Sequence, residues 1–303
     1  ATPVWFMRQA GRSLPKYRES RAEQGMFEII RQPERAADIT AMPLEYYPVD
    51  ACVLYNDLST PYLAAGFDVE MKPGVGPVVH NPIVSGSDVA RMTPFDPRTA
   101  LDFNLEQIRI LKERIDVPVL GFVGAPFTLS SYLIKGQRSR DFAEVKSFIW
   151  RDPDAWHALA DFWARHNAEF GIAQWEAGAG AVQVFDSWAG TLAPDDYETY
   201  VLPHMKQLLL LVIALQLAMG YFYSYFTLHF TALPGGTSAK LGLSFFISAG
   251  CELPFLLNAD KLYRRAGAGR LLVMSAFLLT VRFGIMGFAN NANWLLLSQA
   301  LHG

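Results

Sequence analysis

The sequence predicts an α/β fold for its first two thirds, followed by an all-α membrane segment of three to four transmembrane helices. Three observations carry this. Short, continuous apolar runs alternate with helical patterns up to about residue 200. Charged residues then thin out: residues 208–303 hold only Lys240, Lys261, Arg264, Arg265, Arg270, Arg282, Glu252 and Asp260. Finally, Leu208–Leu233 contains no Asp, Glu, Lys or Arg, a stretch longer than the ~20 residues that cross a bilayer.

The strands come first. "ACVLYND" (51–57), "VPVLGFVGAP" (117–126) and "AGAVQVFDS" (179–187) are apolar without alternation, and each ends in a cluster of Gly, Asp, Ser or Pro. Continuous apolarity suits strands covered on both faces, hence a parallel sheet. "GPVVH" (76–80) is a weaker candidate. Between them lie helical patterns. Residues 33–47 open on a proline, which is pre-set for a first helical turn, and Pro43 must kink or end that helix. Residues 97–115 place Leu101, Leu105, Ile108, Leu111 and Ile115 on one face. Residues 152–178 begin at Asp-Pro and stop at Gly178. This alternation fits a barrel or a doubly wound sheet. No glycine-rich phosphate loop follows a strand, so a dinucleotide site is not indicated.

Chemistry in α/β folds gathers at the carboxyl ends of strands. Here those ends are Tyr55, Asn56 and Asp57, then Ala125 and Pro126, then Asp186 and Ser187. An Asp or Ser in such a place also serves as the cap of the next helix. Upstream, "WFMRQAGRSLPKYR" sets Arg8 and Arg12 four residues apart, with Arg18 and Arg21 following. Guanidinium groups grip carboxylates bidentately, and the small Ala10 and Gly11 leave backbone N–H groups open to an anion. The bland alternative is a solvated basic face.

These residues resemble one family. "TPVWFMRQAGRSLPKYR", "DACVLYND", "GFVGAPFTLSSYL" and "QVFDSWAGTLAPDDYETYVLPHMK" are similar in order and spacing to the uroporphyrinogen decarboxylases, along residues 1–206. The resemblance implies a TIM barrel, typically a homodimer in the cytoplasm, that needs no cofactor and no metal. It implies the removal of CO2 from the four acetate side chains of uroporphyrinogen III. It further implies that Arg8, Gln9, Ala10, Gly11 and Arg12 meet the substrate carboxylates, that Asp57 accepts the pyrrole N–H groups, and that Tyr132 and Ser187 contact the substrate. Ser13 and Lys16 stand where the family has Tyr and Glu, and Asn56 where it has Ser. The family's late His, in an Asn-Leu-Gly-His-Gly motif, has no match, and neither do the strands after Ser187. The expectation is a partial TIM barrel with about half its strands, and no independent catalysis.

Residues 207–303 are expected to form a second part. Beyond Leu208–Leu233, runs at Leu241–Leu257 and Leu271–Phe288 carry one ionisable residue each, Glu252 and Arg282, and a fourth run starts near Trp294. A charge inside a membrane is costly, so Glu252 and Arg282 are candidates for an intramembrane polar pair. "NADKLYRRAGAGR" (258–270) is basic and reads as a cytoplasmic loop, which puts residues 1–206 on the cytoplasmic side of an integral membrane protein and the lipid bilayer against residues 208–303. "ADKLYRRAGAGRLL" and "LLLSQALHG" resemble the major facilitator superfamily. That similarity implies a fragment of a proton-coupled transporter, joined to the first part near Lys206–Leu208.

Composition excludes other classes. A net charge of −3 argues against a polyanion-binding surface over the whole chain, and no nucleic acid is expected as a partner. Two distant cysteines, Cys52 and Cys251, make neither a disulfide framework nor a thiolate metal site.

Overall fold

The computed structural model describes residue 5 and residues 10–11, 13–72, 74–138 and 141–301. Contacts divide the chain into two units, Ala1–Leu215 and Gln216–Gly303.

The first unit is built on a parallel sheet of β1 (Cys52–Val53), β4 (Val119–Gly124) and β5 (Ala181–Phe185), in the order β1-β4-β5. Two further strands, β2 (Val69–Lys72) and β3 (Gly76–Val79), pair antiparallel with each other as a separate hairpin. Helices α1 (Pro15–Glu23), α2 (Met26–Ile30) and α3 (Pro33–Ala41) precede β1, and α4 (Thr60–Ala64) follows it. Helices α5 (Gly86–Val89), α6 (Pro97–Ala100) and α7 (Asp102–Arg114) lead to β4. The crossover from β4 to β5 carries α8 (Pro126–Lys135), α9 (Ala143–Arg151) and α10 (Pro153–Ala177), and α11 (Pro194–Tyr200) follows β5. Parallel strands require such crossovers, because a hairpin cannot join them.

Local chemistry sets the boundaries. Asp152 caps α10 by accepting from the Ala155 N–H (3.1 Å), and Pro153 fills its first position. Gly178 ends α10 in the left-handed region at φ 116°, where a side chain would be strained. As the sequence indicates, Pro43 closes α3, and the chain tightens into a 3-10 turn over Met42–Glu45.

β1 pairs over two residues only. Beyond it the Tyr55 N–H donates to Thr40 Oγ1 (2.9 Å), and Gln107 Nε2 donates to the Tyr55 carbonyl (3.3 Å), so side chains replace the ladder. β4 has a similar substitute. The buried Gln174 amide accepts from the Phe122 N–H (2.9 Å) and donates to the Phe122 carbonyl (3.0 Å), while Asn167 Nδ2 donates to the Gly124 carbonyl (2.6 Å). Gly121 makes room for this, since a Cβ there would lie 2.3 Å from Gln174 Oε1. Gln174→Leu should strand two buried backbone groups and cost about 2 kcal/mol or more. Urea midpoints of the two chains measure it, and an unchanged midpoint would refute the role.

Two cores flank the sheet. One gathers Tyr62, Phe127, Phe148, Trp156 and Trp163 among α4, α8, α9 and α10. The other gathers Leu105, Ile108, Leu111, Val119, Val123 and Phe170 among α7, β4 and α10.

The membrane segment is not supported. Among the described residues, no helix is long and apolar enough to cross a membrane. Two physical reasons are visible. The run that starts at Leu208 lies in α12 (Leu202–Ala232), and its first turns are used as protein core: Leu208 is fully buried against Ala164 and Ala168 of α10, with Leu211 and Val212 packed beside it. The runs 241–257 and 271–288 are not separate spans. With the expected loop 258–270 they form one continuous helix, α13 (Ser238–Phe288), with Asp260, Lys261, Arg264, Arg265 and Arg270 in its middle. Ala, Leu, Arg and Lys in that stretch are good helix formers, and the helix runs on through Gly267 and Gly269. The integral-membrane location, the cytoplasmic orientation and the bilayer as partner rested on those spans and fall with them. The second unit ends in α14 (Ala292–Ser298), and its core joins Phe226 and Phe230 of α12 to Met286, Ala292 and Leu295.

Candidate active site

A cavity of about 440 Å³ opens at the carboxyl ends of the three parallel strands. Leu54, Tyr55, Asn56 and Asp57 line it from the end of β1, Phe122 from β4, and Phe185, Ser187 and Trp188 from the end of β5. Tyr132 reaches it from α8, Ala10 and Tyr17 from the N-terminal segment, and Pro77 from the hairpin. Phe122 and Phe185 meet edge to face on its floor, with centroids 5.5 Å apart.

Asp57 is held by its own turn. Its Oδ1 accepts from the Ser59 N–H (2.9 Å) and from the Ser59 hydroxyl. Next to it the buried Asn56 accepts from Thr60 Oγ1 (2.7 Å), which fixes the start of α4. Tyr55 stacks edge to face on Tyr17, and burial followed by the Tyr17 hydroxyl raises its pKa far above the ordinary phenol value. It therefore stays neutral. Cys52 is buried below the site, and burial pushes its thiol up to about 11, so it is not a ready nucleophile.

The end of β5 is fixed by a second set of contacts. Thr128 Oγ1 donates to Asp186 Oδ1 (2.8 Å) and accepts from the Trp188 N–H (3.3 Å). Burial raises the Asp186 pKa, while the hydrogen bonds from Thr128 work against the rise. Thr128 thus links the Asp186 carboxylate to the Trp188 backbone. Trp188 packs edge to face on Tyr132 (6.1 Å), and the Arg138 guanidinium lies 5.4 Å from the centre of the Trp188 ring.

Of the residues singled out in the sequence, Ala10, Asp57, Tyr132 and Ser187 line this one cavity. Gly11 is described at the N-terminal turn, where Leu14 donates to its carbonyl (2.9 Å). Arg8, Gln9 and Arg12 lie outside the described residues. Arg282 is buried and its Nη2 donates to Gln299 Oε1 (2.7 Å), whereas the Glu252 side chain lies outside the described residues. Both belong to α13, which carries Pro254 between them. Sequence reasoning missed Tyr17, Phe122 and Trp188. Aromatic residues in apolar runs look like core, and only the fold shows which of them face a cavity.

A parallel α/β sheet with its crossovers on helices, and with polar strand ends converging on one cavity, fits a TIM-barrel-type fold. Comparison with known proteins gives the family. The model for "Uroporphyrinogen decarboxylase (URO-D)" matches residues 1–224, and the chain belongs to the uroporphyrinogen decarboxylase family. It is 49% identical over 207 residues to the uroporphyrinogen decarboxylase of Geobacillus thermodenitrificans, covering 68% of this chain and 60% of that protein. Against that of Listeria monocytogenes serotype 4b it is 47% identical over 207 residues, covering 68% and 59%. The chain therefore spans about three fifths of the length of these relatives. Among solved structures, a methyltransferase from Methanosarcina mazei aligns with TM-score 0.49 and 19% identity, over 61% of this chain and 58% of that one. A second family model, "MFS_1 like family", matches residues 162–303 and overlaps the first over 162–224.

Proposed function

We propose that residues 1–206 carry the first half of a uroporphyrinogen decarboxylase site, which binds a carboxylate-rich tetrapyrrole and does not turn it over in this chain alone. One observation carries the reading. Ala10, Asp57, Tyr132 and Ser187 come from four separate segments and line a single cavity, in a chain that is nearly half identical to decarboxylases over that region.

The chemistry suits these residue types. Loss of CO2 from an acetate side chain leaves an electron pair, and a pyrrole ring protonated at carbon accepts it. A carboxylate at Asp57 would receive the pyrrole N–H groups and stabilise the cationic ring, which is electrostatic catalysis without a nucleophile. Arg8, Gln9, Ala10, Gly11 and Arg12 would hold substrate carboxylates, and Tyr132 and Ser187 would orient the macrocycle. Turnover fails because a closed barrel would have to wall the rest of the cavity. Among the described residues the parallel sheet has three strands, and the sequence has no match to the family's late His motif.

The test has two arms. Uroporphyrin, the oxidised macrocycle, should quench the share of the tryptophan fluorescence that Trp188 contributes, a share given by comparison with Trp188→Phe. Asp57→Ala should weaken that binding about tenfold, the equivalent of one lost charge-assisted hydrogen bond. Release of CO2 from uroporphyrinogen should stay at the protein-free background. Unchanged affinity in Asp57→Ala would defeat the assignment of Asp57, and rapid turnover would defeat the claim of inactivity.

The match of residues 162–303 to the "MFS_1 like family" supports a second reading for residues 207–303. In it they are a piece of a transporter-family protein joined to the decarboxylase portion near Lys206–Leu208. A continuous DNA read across the codons for that junction tests it, and two separate genes there would show that the joined chain is not a natural product.

A further inference from the structure

Among the described residues that line the cavity, Asp57 is the one charged side chain. A carboxylate-rich ligand needs the opposite charge, and one such charge stands beside the wall. Arg138 is exposed, and its guanidinium lies over the Trp188 ring, 5.4 Å from the centre. Trp188 lines the cavity next to Ser187 and meets Tyr132 edge to face. The chain is pinned on both sides of Arg138. Gly136 ends α8 in the left-handed region at φ 75°, and its carbonyl accepts from the Val79 N–H of β3 (2.6 Å). Phe142 is buried in the first core, and its ring packs on the same indole at 5.4 Å. The nearby Lys135 is paired with Glu144, so that its charge is offset. Arg138 makes no hydrogen bond or ion pair among the described residues.

A cation held over an aromatic face keeps its hydrogen-bonding capacity. The ring attracts the charge and occupies none of the guanidinium N–H donors, which stay open to an oxygen anion. The contact also restricts a long side chain before any ligand arrives, so less freedom is lost on binding. We infer that Arg138 binds a carboxylate of the ligand on the Trp188 side of the cavity, and so sets a preference for macrocycles that carry carboxylates. The fork of the guanidinium matches a carboxylate at two points. This rests on the tetrapyrrole reading of the cavity, and adds to it a residue that neither the N-terminal arginine motif nor the strand ends contain.

The experiment uses the full 303-residue chain. It is titrated into uroporphyrin, and binding is read from the anisotropy of the porphyrin's own fluorescence, a signal that does not come from Trp188. Arg138→Gln keeps most of the reach and loses the charge, and it should weaken binding about tenfold. Arg138→Lys keeps the charge without the fork, and its affinity should fall between the two. Added salt should weaken the parent more steeply than Arg138→Gln, which has one ion pair fewer to screen. Lys112→Gln removes the same charge from an exposed site on α7, near the amino end of β4, and should stay within about twofold of the parent. Unchanged affinity in Arg138→Gln would overturn the inference and leave the tetrapyrrole reading standing. Equal losses in Arg138→Gln and Lys112→Gln would overturn it too, because net charge alone would then account for both. A parent chain that binds no uroporphyrin would defeat the tetrapyrrole reading itself, and the role of Arg138 with it.

Discussion

Trp156→Ala should destabilise the first unit by about 4 kcal/mol, the cost of removing a large aromatic from a filled core. Trp156 is fully buried, meets Phe127 edge to face at 5.8 Å, and donates its Nε1–H to the Tyr200 carbonyl (2.8 Å). That bond ties α10 to the end of α11, just before the chain enters α12. Alanine would leave a cavity and strip the Tyr200 carbonyl of its donor, and the two losses act in the same direction. Trp156→Phe keeps most of the volume and loses the donor, so it should cost about half as much. The neighbouring Trp150 is the control: it is mostly exposed, and Trp150→Ala should stay within about 0.5 kcal/mol of the parent. Denaturant midpoints for the three variants give the comparison. Equal loss in Trp150→Ala and Trp156→Ala would mean that this core is not what holds the unit together.

How much of this was legible beforehand depends on the range of each signal. The runs 117–126 and 179–187 each contain the strand they predicted, because a strand buried on both faces has no polar alternation to hide it. The ends of α10 were readable from Asp152 and Gly178, which act within a single turn. β1 is shorter than its apolar run, since Thr40 and Gln107 take over from the ladder after Leu54, and such side-chain partners lie too far away in sequence to leave a local mark. Gln174 is the same case, 52 residues from the strand it completes. "GPVVH" forms a strand, but its partner, Val69–Lys72, lies across a short turn and the pair stands outside the parallel sheet. The membrane expectation failed for another reason. A long apolar run reads alike whether it faces lipid or protein, and only Leu208 packed on Ala164 and Ala168 reveals the second environment. At the site, the strand ends offered Asp57 and Ser187 among other residues, and the family resemblance singled them out. The aromatic wall of Tyr17, Phe122 and Trp188 needed the fold to bring it together.

Acidification should weaken the same unit through one contact, by about 2 kcal/mol between pH 7 and pH 4. His157 Nδ1 and His204 Nε2 lie 2.9 Å apart, so a single N–H is shared between α10 and α12. Protonating His204 would place a charge on a buried ring beside the second imidazole. Burial first, and then the neighbouring His157, push the His204 pKa from 6.5 down to about 4, while Gln207 works against the fall. The other groups around the pair are Tyr200, whose ring lies 6.0 Å from His157, and Asp161, which accepts from Gln207 Nε2 (2.6 Å) and pairs with Arg165. The sign follows from the direction of the shift. Between pH 6.5 and pH 4 the unfolded chain takes up a proton that the folded one refuses, so stability is level above about 6.5, falls as the pH drops through this window, and levels off below about 4. Linkage over the whole window would give about 3 kcal/mol, and partial screening by solvent lowers that to about 2. Carboxylates titrate at the acid end of the same range, so the informative quantity is a difference between chains. His204→Gln keeps a polar side chain of similar reach and cannot take the proton. Melting curves at pH 7.0, 5.5 and 4.5 should show the parent losing more stability than His204→Gln, with about half of the gap open at pH 5.5. Parallel curves would mean that the imidazole pair carries no linkage.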